Sequence, residues 1–431
     1  MGGEWIDTTL GAVTDFLSGG TPSKDRAEYW NGTIPWVSAK DMKRFRLKDA
    51  EDHVTLEGAE NGTKIVPAET VLLLTRGMTL LNDVPICVIG QPMAFNQDVK
   101  ALRPKAGLRN NFLPYLILGY KKHLISSVDL AGHGTGRLNS DELKGLDILL
   151  PPELEQCAIA QILGALDDKI EQNLKMNETL EAMARALFQS WFVDFDPVRA
   201  KMEGQQPGLP KEIADLFPSK TVESEIGEIP EGWQNGTLSD FSELNPEVWT
   251  KDTRPPEIRY VDLSNTKWGR IESIATYRAV EAPSRAQRVL RLGDTILGTV
   301  RPGNGSYAFI TGEGLTGSTG FAALRPKRAE YAEFVYLAAT ARNNVDRLAH
   351  LADGGAYPAV RAEVVAATQA VRASDSIVSE FARQIKPMLH RVASGERESN
   401  CLAAVRDALL PKLISGELRV RDAEKIVESA A

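Results

Sequence analysis

Ala101-Leu102-Arg103-Pro104-Lys105 returns unchanged as Ala323-Leu324-Arg325-Pro326-Lys327, 222 positions later (323 − 101). An aromatic-rich stretch follows each copy, Phe112 to Leu116 and Phe334 to Leu337. Upstream, Leu73-Leu74-Thr75-Arg76 has a counterpart in Ile296-Leu297-Gly298-Thr299-Val300-Arg301. Gly232-Trp233 restarts the pattern of Glu4-Trp5, and Gly354-Gly355-Ala356-Tyr357 falls near where Gly134 would recur. A chain made of two similar halves offers two similar surfaces, so its target should come in two parts.

The same offset carries one heptad pattern onto another. Glu153 to Phe192 reads as a single long helix whose seam holds Ile159, Leu163, Leu166, Ile170, Asn173, Asn177, Leu180, Ala184, Leu187 and Trp191 in alternating steps of four and three. Adding 222 gives Phe381, Ile385, Met388, Val392, Gly395, Ser399, Leu402, Arg406, Leu409 and Leu413. Both seams are apolar at the ends and small or polar in the middle. Polar seam positions cost stability and set register. Antiparallel pairing about the midpoints would bring the polar middles together. Arg406 fits the seam poorly, and its aliphatic stem is expected to lie along the edge. Pro387 should kink the second helix, where the first has Ala165, because proline removes a donor and clashes with the preceding turn.

Around these helices lie two globular segments. Residues 1–150 read as strands and turns, with buried strands at Val71 to Leu74 and Val84 to Ile89, and a helix near Asn111 to Ser126. Gly19-Gly20-Thr21-Pro22, Asn61-Gly62 and Gly132-His133-Gly134-Thr135-Gly136 are loops. Pro151-Pro152 ends this segment and opens a helical spacer, 151–195. Residues 196–230, with Pro197, Pro207, Gly208, Pro210 and Pro218, form a linker interrupted by a short helix around Lys211 to Leu216. A second globular segment follows at 231–374, then a distal spacer helix at 375–418 and a tail at 419–431. The expectation is a mixed α/β (α+β) chain. Two similar domains are separated by two long helices that pair as an antiparallel coiled coil, giving a pseudo-two-fold repeat.

Composition excludes several function classes. Apolar content of 43% and charged content of 25% suit an ordinary globular chain. No apolar run suggests a membrane span, and the N-terminus lacks a signal region. Cys87, Cys157 and Cys401 are scattered, so buried reduced thiols in a cytoplasmic protein are expected. The net charge of −8 does not advertise nucleic-acid binding. Acidity concentrates in 151–222, with 7 basic and 12 acidic groups, whereas 1–150 carries 17 and 18 and 223–374 carries 17 and 19. Any DNA contact must therefore come from local clusters of side chains.

The motifs of catalysis are missing. There is no GxxxxGK[ST] phosphate loop and no Asn/Asp-Pro-Pro-aromatic methylating loop. His53, His123, His133, His350 and His390 are dispersed without metal-ligand spacing, and no CxxC pair suggests zinc. No catalytic residue, metal site or cofactor site is expected in this chain.

One series of motifs resembles a known family along almost the whole chain. Ser18-Gly19-Gly20-Thr21-Pro22, Tyr29-Trp30 and Ile34-Pro35-Trp36-Val37 are similar to a target-recognition domain of Type I restriction-modification DNA specificity (S) subunits. Pro151-Pro152-Glu153-Leu154-Glu155-Gln156 with Ile159-Ala160 resembles the start of their central helix, and Ala186 through Pro197 its end. Leu209-Pro210 through Pro218 and Gly227 through Trp233 resemble the entry into the second domain, and Leu409 through Leu418 the distal helix end.

The resemblance implies a non-catalytic subunit whose two domains each read one half of a split site in double-stranded DNA. Its paired helices would act as a ruler and dock two methyltransferase subunits, which carry S-adenosylmethionine. Motor-nuclease subunits would join through those partners. Base readout needs donors and acceptors on loops near the groove. The candidates are Lys40, Arg76, Asn96 and Arg137 in the first domain, and Asn265, Arg301, Asn304 and Tyr357 in the second. Arg103 and Arg325, shared by both domains, suit a scaffold role. For partner docking the candidates are Phe188, Trp191, Phe192 and Phe195, with packing inside the helix pair as the competing reading. Two other functions stay open at this point: a coiled-coil interaction scaffold that does not read DNA, and a self-contained enzyme.

Overall fold

The computed structural model describes residues 4–131, 134–225, 227–250, 252–355 and 357–430. Gly132 and His133 of the first glycine loop, Ala356 of the second, and the Met1–Gly3 start lie outside the described residues. The chain divides into two compact units. One comprises Met1–Gln172 with Glu398–Ala431, the other Asn173–Arg397. Each unit thus takes half of each long helix, whereas the sequence reading had ended its domains where the helices begin.

In the first unit Val71–Leu74 is buried at all four positions. Such a run has no alternation because both faces of the strand are covered. It lies in a five-stranded sheet ordered Thr14–Ser18, Val99–Pro104, Val71–Leu74, Ile86–Ile89, Arg46–Leu47. A second sheet runs Asp52–Val54, Trp30–Val37, Met93–Phe95, Ile65–Val66, with the middle pair parallel at Trp36↔Ala94. Ile6–Thr9 pairs antiparallel with Asp147–Leu150. The helix expected near 111–126 is two short ones, Leu113–Gly119 and Lys121–Ser126.

The second unit repeats this order. Ser242–Leu244, Phe321–Pro326, Thr295–Gly298 and Tyr307–Phe309 form one sheet, and Ala275–Arg278, Glu257–Val261, Leu315–Ser318 and Ala286–Leu290 the other. Here too the middle pair of the second sheet is parallel, at Tyr260↔Thr316. Gln234–Thr237 pairs with Gln369–Arg372 just as Ile6–Thr9 pairs with Asp147–Leu150. The repeated pentapeptide occupies one strand in both copies, Val99–Pro104 and Phe321–Pro326. The internal repeat is thus a repeat of topology.

Both long helices span 40 residues, Glu153–Phe192 and Asp375–Ile414. The second helix continues unbroken through Pro387, the site at which the sequence predicts a kink. Within each unit the helices run antiparallel. In the first, Asp167 meets Arg406 and Lys169 meets Glu398. In the second, Trp191 meets Phe381 and Asn177 meets Gly395. The apolar seam ends join the unit cores: Ile159, Leu163 and Leu166 with Leu402, Leu409 and Leu413, and Ala184 and Trp191 with Phe381 and Ile385. The polar middles meet as the heptads predict. Gly395 leaves room for the buried Asn177 amide, since a Cβ there would lie 2.7 Å from Asn177 Oδ1. Nearby, an Arg391 Nη2–H reaches Asn173 Oδ1 at 3.4 Å.

Arg406 does not lie along the edge. Its guanidinium donates to Asp167 Oδ1 at 2.6 Å, and the Tyr115 hydroxyl donates to Asp167 Oδ2 at 2.9 Å. An arginine fits the seam because a buried carboxylate faces it. The 196–230 linker is also packed rather than free. It holds helices Asp196–Met202 and Lys211–Ala214, and Val198, Ile213, Phe217 and Ile229 join the second core. The tail is helical over Val420–Ala430 and buries Ala423. Cys87 lies in the core, where burial pushes its thiol up to about 12. Cys157 is half-buried and Cys401 exposed, so the expected burial applies to one thiol of the three. Among the described residues no helix is long and apolar enough to cross a membrane.

Candidate nucleic-acid interface

Where the all-buried strand of each unit ends, a threonine turns the chain outward. Thr75 donates its backbone N–H and its hydroxyl to Asp98 O, at 2.8 and 3.0 Å. Thr299 does the same to Gly320 O, at 2.8 and 2.9 Å. Each threonine carbonyl then accepts from a segment distant in sequence: Leu138 N–H at 2.9 Å in the first unit, Val360 N–H at 2.9 Å in the second. These matched bonds align Thr75 with Thr299 and Leu138 with Val360. They hold a short antiparallel ladder outside each sheet.

In the first unit Arg76–Gly77 pairs with Thr135–Arg137, and Arg76 stands directly opposite Arg137. Both arginines are exposed. Opposite residues of an antiparallel pair share a face, and like charges there repel. Asp129 faces Arg137 from the third strand, so the row carries two guanidiniums and one carboxylate. Among the described residues neither guanidinium has a hydrogen bond or ion pair.

The second unit builds the corresponding ladder from Val300 opposite Ala359. Its cation is displaced by one residue. Arg301 lies 4.7 Å above the ring of Tyr357, which is 71% exposed. Arg301 adopts left-handed backbone (φ 46°), held by its N–H donating to Pro358 O at 2.7 Å. For a residue with a Cβ that conformation costs about 1 kcal/mol or more, and such strain gathers at functional loops. Asn304 is exposed in the turn Pro302–Asn304 that follows.

The other candidates are scattered. Lys40 is ion-paired to Asp52 at 2.9 Å and Glu51 at 3.2 Å, and hydrogen bonding to Asp52 raises its pKa above the usual lysine value. Asn96 is buried and caps a turn, its Oδ1 accepting from Asp98 N–H at 3.1 Å. Its side chain is turned into the fold rather than to solvent. Asn265 is half-buried in the short turn Leu263–Asn265. The scaffold reading suits Arg325, which binds Asp294 at 3.0 Å and Glu247 at 2.8 Å. Hydrogen bonds from Arg291 and Arg325 hold the Glu247 carboxyl down at about 2.

The docking assignment of the four aromatics requires correction. Phe188, Trp191, Phe192 and Phe195 are 8%, 1%, 3% and 7% exposed. They stack on Phe334, Phe381, Phe217 and Trp233 in the second core. A run of aromatics on one helix end is the same in sequence whether it faces a partner or a core.

One pair escaped the sequence reading altogether. Trp268 is 43% exposed with left-handed backbone (φ 49°), and Arg342 lies 5.2 Å over its ring. Gly305 lies against this ring, and a Cβ there would come within 2.5 Å of it. The only sequence signal was Trp268-Gly269, a turn dipeptide among polar residues.

Fold and site together show a two-part protein, with two matched scaffolds carrying different side chains at the same outer ladder. Comparison with known proteins shows what the chain is similar to. Residues 3–182 match the Type I restriction modification DNA specificity domain. Over 97% of its length the chain is 24% identical to 94% of the Type I restriction enzyme MjaIX specificity subunit of Methanocaldococcus jannaschii. Over 38% of its length it is 32% identical to 41% of the Type I restriction enzyme EcoR124I/EcoR124II specificity subunit of Escherichia coli. Its fold is similar to the crystal structure of a Type I restriction-modification system S subunit from M. genitalium, with TM-score 0.56 and 15% identity over 95% of this chain and 96% of that one. The chain is thus similar to Type I specificity subunits along nearly its whole length, with the family's domain matched over residues 3–182.

Proposed function

We propose that this chain is the non-catalytic DNA-reading subunit of a Type I restriction-modification complex. Each globular domain reads one half of a bipartite double-stranded site. The helix pair sets the separation of the halves and docks two methyltransferase subunits, which bind S-adenosylmethionine and methylate adenine. Motor-nuclease subunits join through them, in the cytoplasm. The observation that carries this reading is the repeated scaffold with non-repeated ladder residues: Arg76 and Arg137 against Val300 and Ala359.

Because the four aromatics are interior, docking falls to the outer faces of the helices. There Met176 and Met183, one heptad apart, are 48% and 50% exposed. The deciding experiment is co-expression with the adjacent methyltransferase gene in a methylation-free host, followed by genome-wide mapping of modified adenines. One bipartite motif with a fixed gap is the expected result. A stable complex that adds no methylation would leave the non-DNA scaffold standing.

A further inference from the structure

The two units share a framework and differ in the side chains that it carries outward. Their frameworks agree bond for bond at Thr75 and Thr299, and at Leu138 and Val360. Along the ladder that these bonds hold, the side chains do not agree. Arg76 corresponds to Val300, Gly77 to Arg301, Thr135 to Tyr357 and Arg137 to Ala359. We infer that this outer ladder is the specificity-determining element of each domain, with the Arg76–Arg137 pair reading the first half-site and the Arg301–Tyr357 stack reading the second.

Three observations support base reading over a structural or phosphate role. First, phosphate contacts carry no sequence information, so a shared scaffold would be expected to keep its cation in one place. Here the cation moves by one residue. Second, Arg76 and Arg137 stand opposite one another, exposed, with no ion pair among the described residues. Opposed guanidiniums weaken a ladder and gain from a target rich in acceptors. The O6/N7 edge of guanine is such a target and takes arginine bidentately. Third, the second ladder holds Arg301 in strained backbone over an exposed aromatic ring. That stacking orients the planar fork.

The inference rests on the proposed function, and the test separates their failures. The full chain in complex with its methyltransferase partner is prepared as wild type and as Arg76→Ala, Arg137→Ala, Arg301→Ala and Tyr357→Ala. Methylated motifs are mapped, and affinity is measured on duplexes varied base by base. Arg76→Ala and Arg137→Ala should lower affinity roughly 5- to 150-fold and relax one or two positions of the first half-site only. Arg301→Ala and Tyr357→Ala should relax the second half-site only. Arg76→Lys keeps the charge but loses the bidentate fork, so it should relax specificity as well. Thermal melting serves as the folding control, and Arg76→Ala should melt no lower than wild type, since it relieves a like-charge contact. A wild-type complex with a bipartite motif, combined with variants that retain motif and affinity, would overturn the ladder assignment alone. So would an affinity loss equal on every sequence, which is the signature of phosphate contact. Absence of sequence-selective methylation by the wild type would remove both readings.

Discussion

Replacing Arg406 by alanine should destabilise the first unit strongly. Its partner Asp167 is 5% exposed at the side chain and Arg406 itself 21%, so the pair is largely withdrawn from water. Removing one member of a buried pair leaves an uncompensated charge and costs about 3–5 kcal/mol. Two features put this case at the low end. Tyr115 still donates to Asp167 at 2.9 Å, and the arginine keeps some access to solvent. We therefore expect about 3 kcal/mol. The first unit has 206 residues (172 + 34). At about 2–4 °C per kcal/mol for that size, its transition should fall by about 6–12 °C in calorimetry. The triple variant Tyr115→Phe, Asp167→Leu, Arg406→Met removes every member of the network and leaves no orphaned group, so it should melt within about 2 °C of wild type or above it. A fall below about 2 °C for Arg406→Ala, or a triple variant no better than the single, would show that the network is not held in this buried form.

Other outcomes follow from the helix pair and its neighbours. Gly395→Ala should not bring the usual gain of about 1 kcal/mol for removing a helical glycine, because the new methyl meets the Asn177 amide at 2.7 Å. Combined with Asn177→Ala it should recover that gain, read by denaturant melts. Glu396 is raised to about 7, chiefly by burial, with Arg270 opposing and Glu181 reinforcing the shift. A carboxyl raised above its unfolded value binds more protons in the folded state, so its contribution is full below about pH 4.5 and is lost as pH rises through about 7. Glu396→Gln should thus stabilise the protein at pH 8 and do little at pH 4, measured as melting temperature against pH. Deleting one heptad from each helix at matched levels removes about 10 Å of rod, or roughly 3 base pairs. The mapped gap should shorten by that amount while both half-site sequences stay the same, and an unchanged gap would refute the ruler.

Much of the architecture was legible because it is periodic. The pentapeptide repeat marked matching places in the two halves without showing that they are strands, and the heptads located the first long helix at Glu153–Phe192. Periodicity could not assign Arg406, since the carboxylate that makes it fit lies 239 residues away. Nor could it decide which side of the helix the run Phe188 to Phe195 faces, because a core and a docking patch have the same composition. Arg76 and Arg137 were legible singly as exposed loop cations. Their opposition depends on strand register, which short flanking segments do not encode. Asn96 was misplaced for a similar reason, since turn-capping and base-reading asparagines differ only in burial.

The division of the chain has a consequence for its synthesis. Residues 173–397 form a complete unit, whereas Ile159, Leu163 and Leu166 find their cover on Leu402, Leu409 and Leu413. On the ribosome the second unit has all its parts before the first does. Until residues 398–414 emerge, the apolar stripe of the first unit lacks part of its cover, and completing it requires contacts nearly 250 positions apart (409 − 163 = 246). Contacts of that span form late, and bare apolar stripes associate with whatever is near. A nascent chain of this design therefore has a stretch of its translation during which a chaperone or an early-arriving partner can occupy the helix that its own C-terminal segment will later cover.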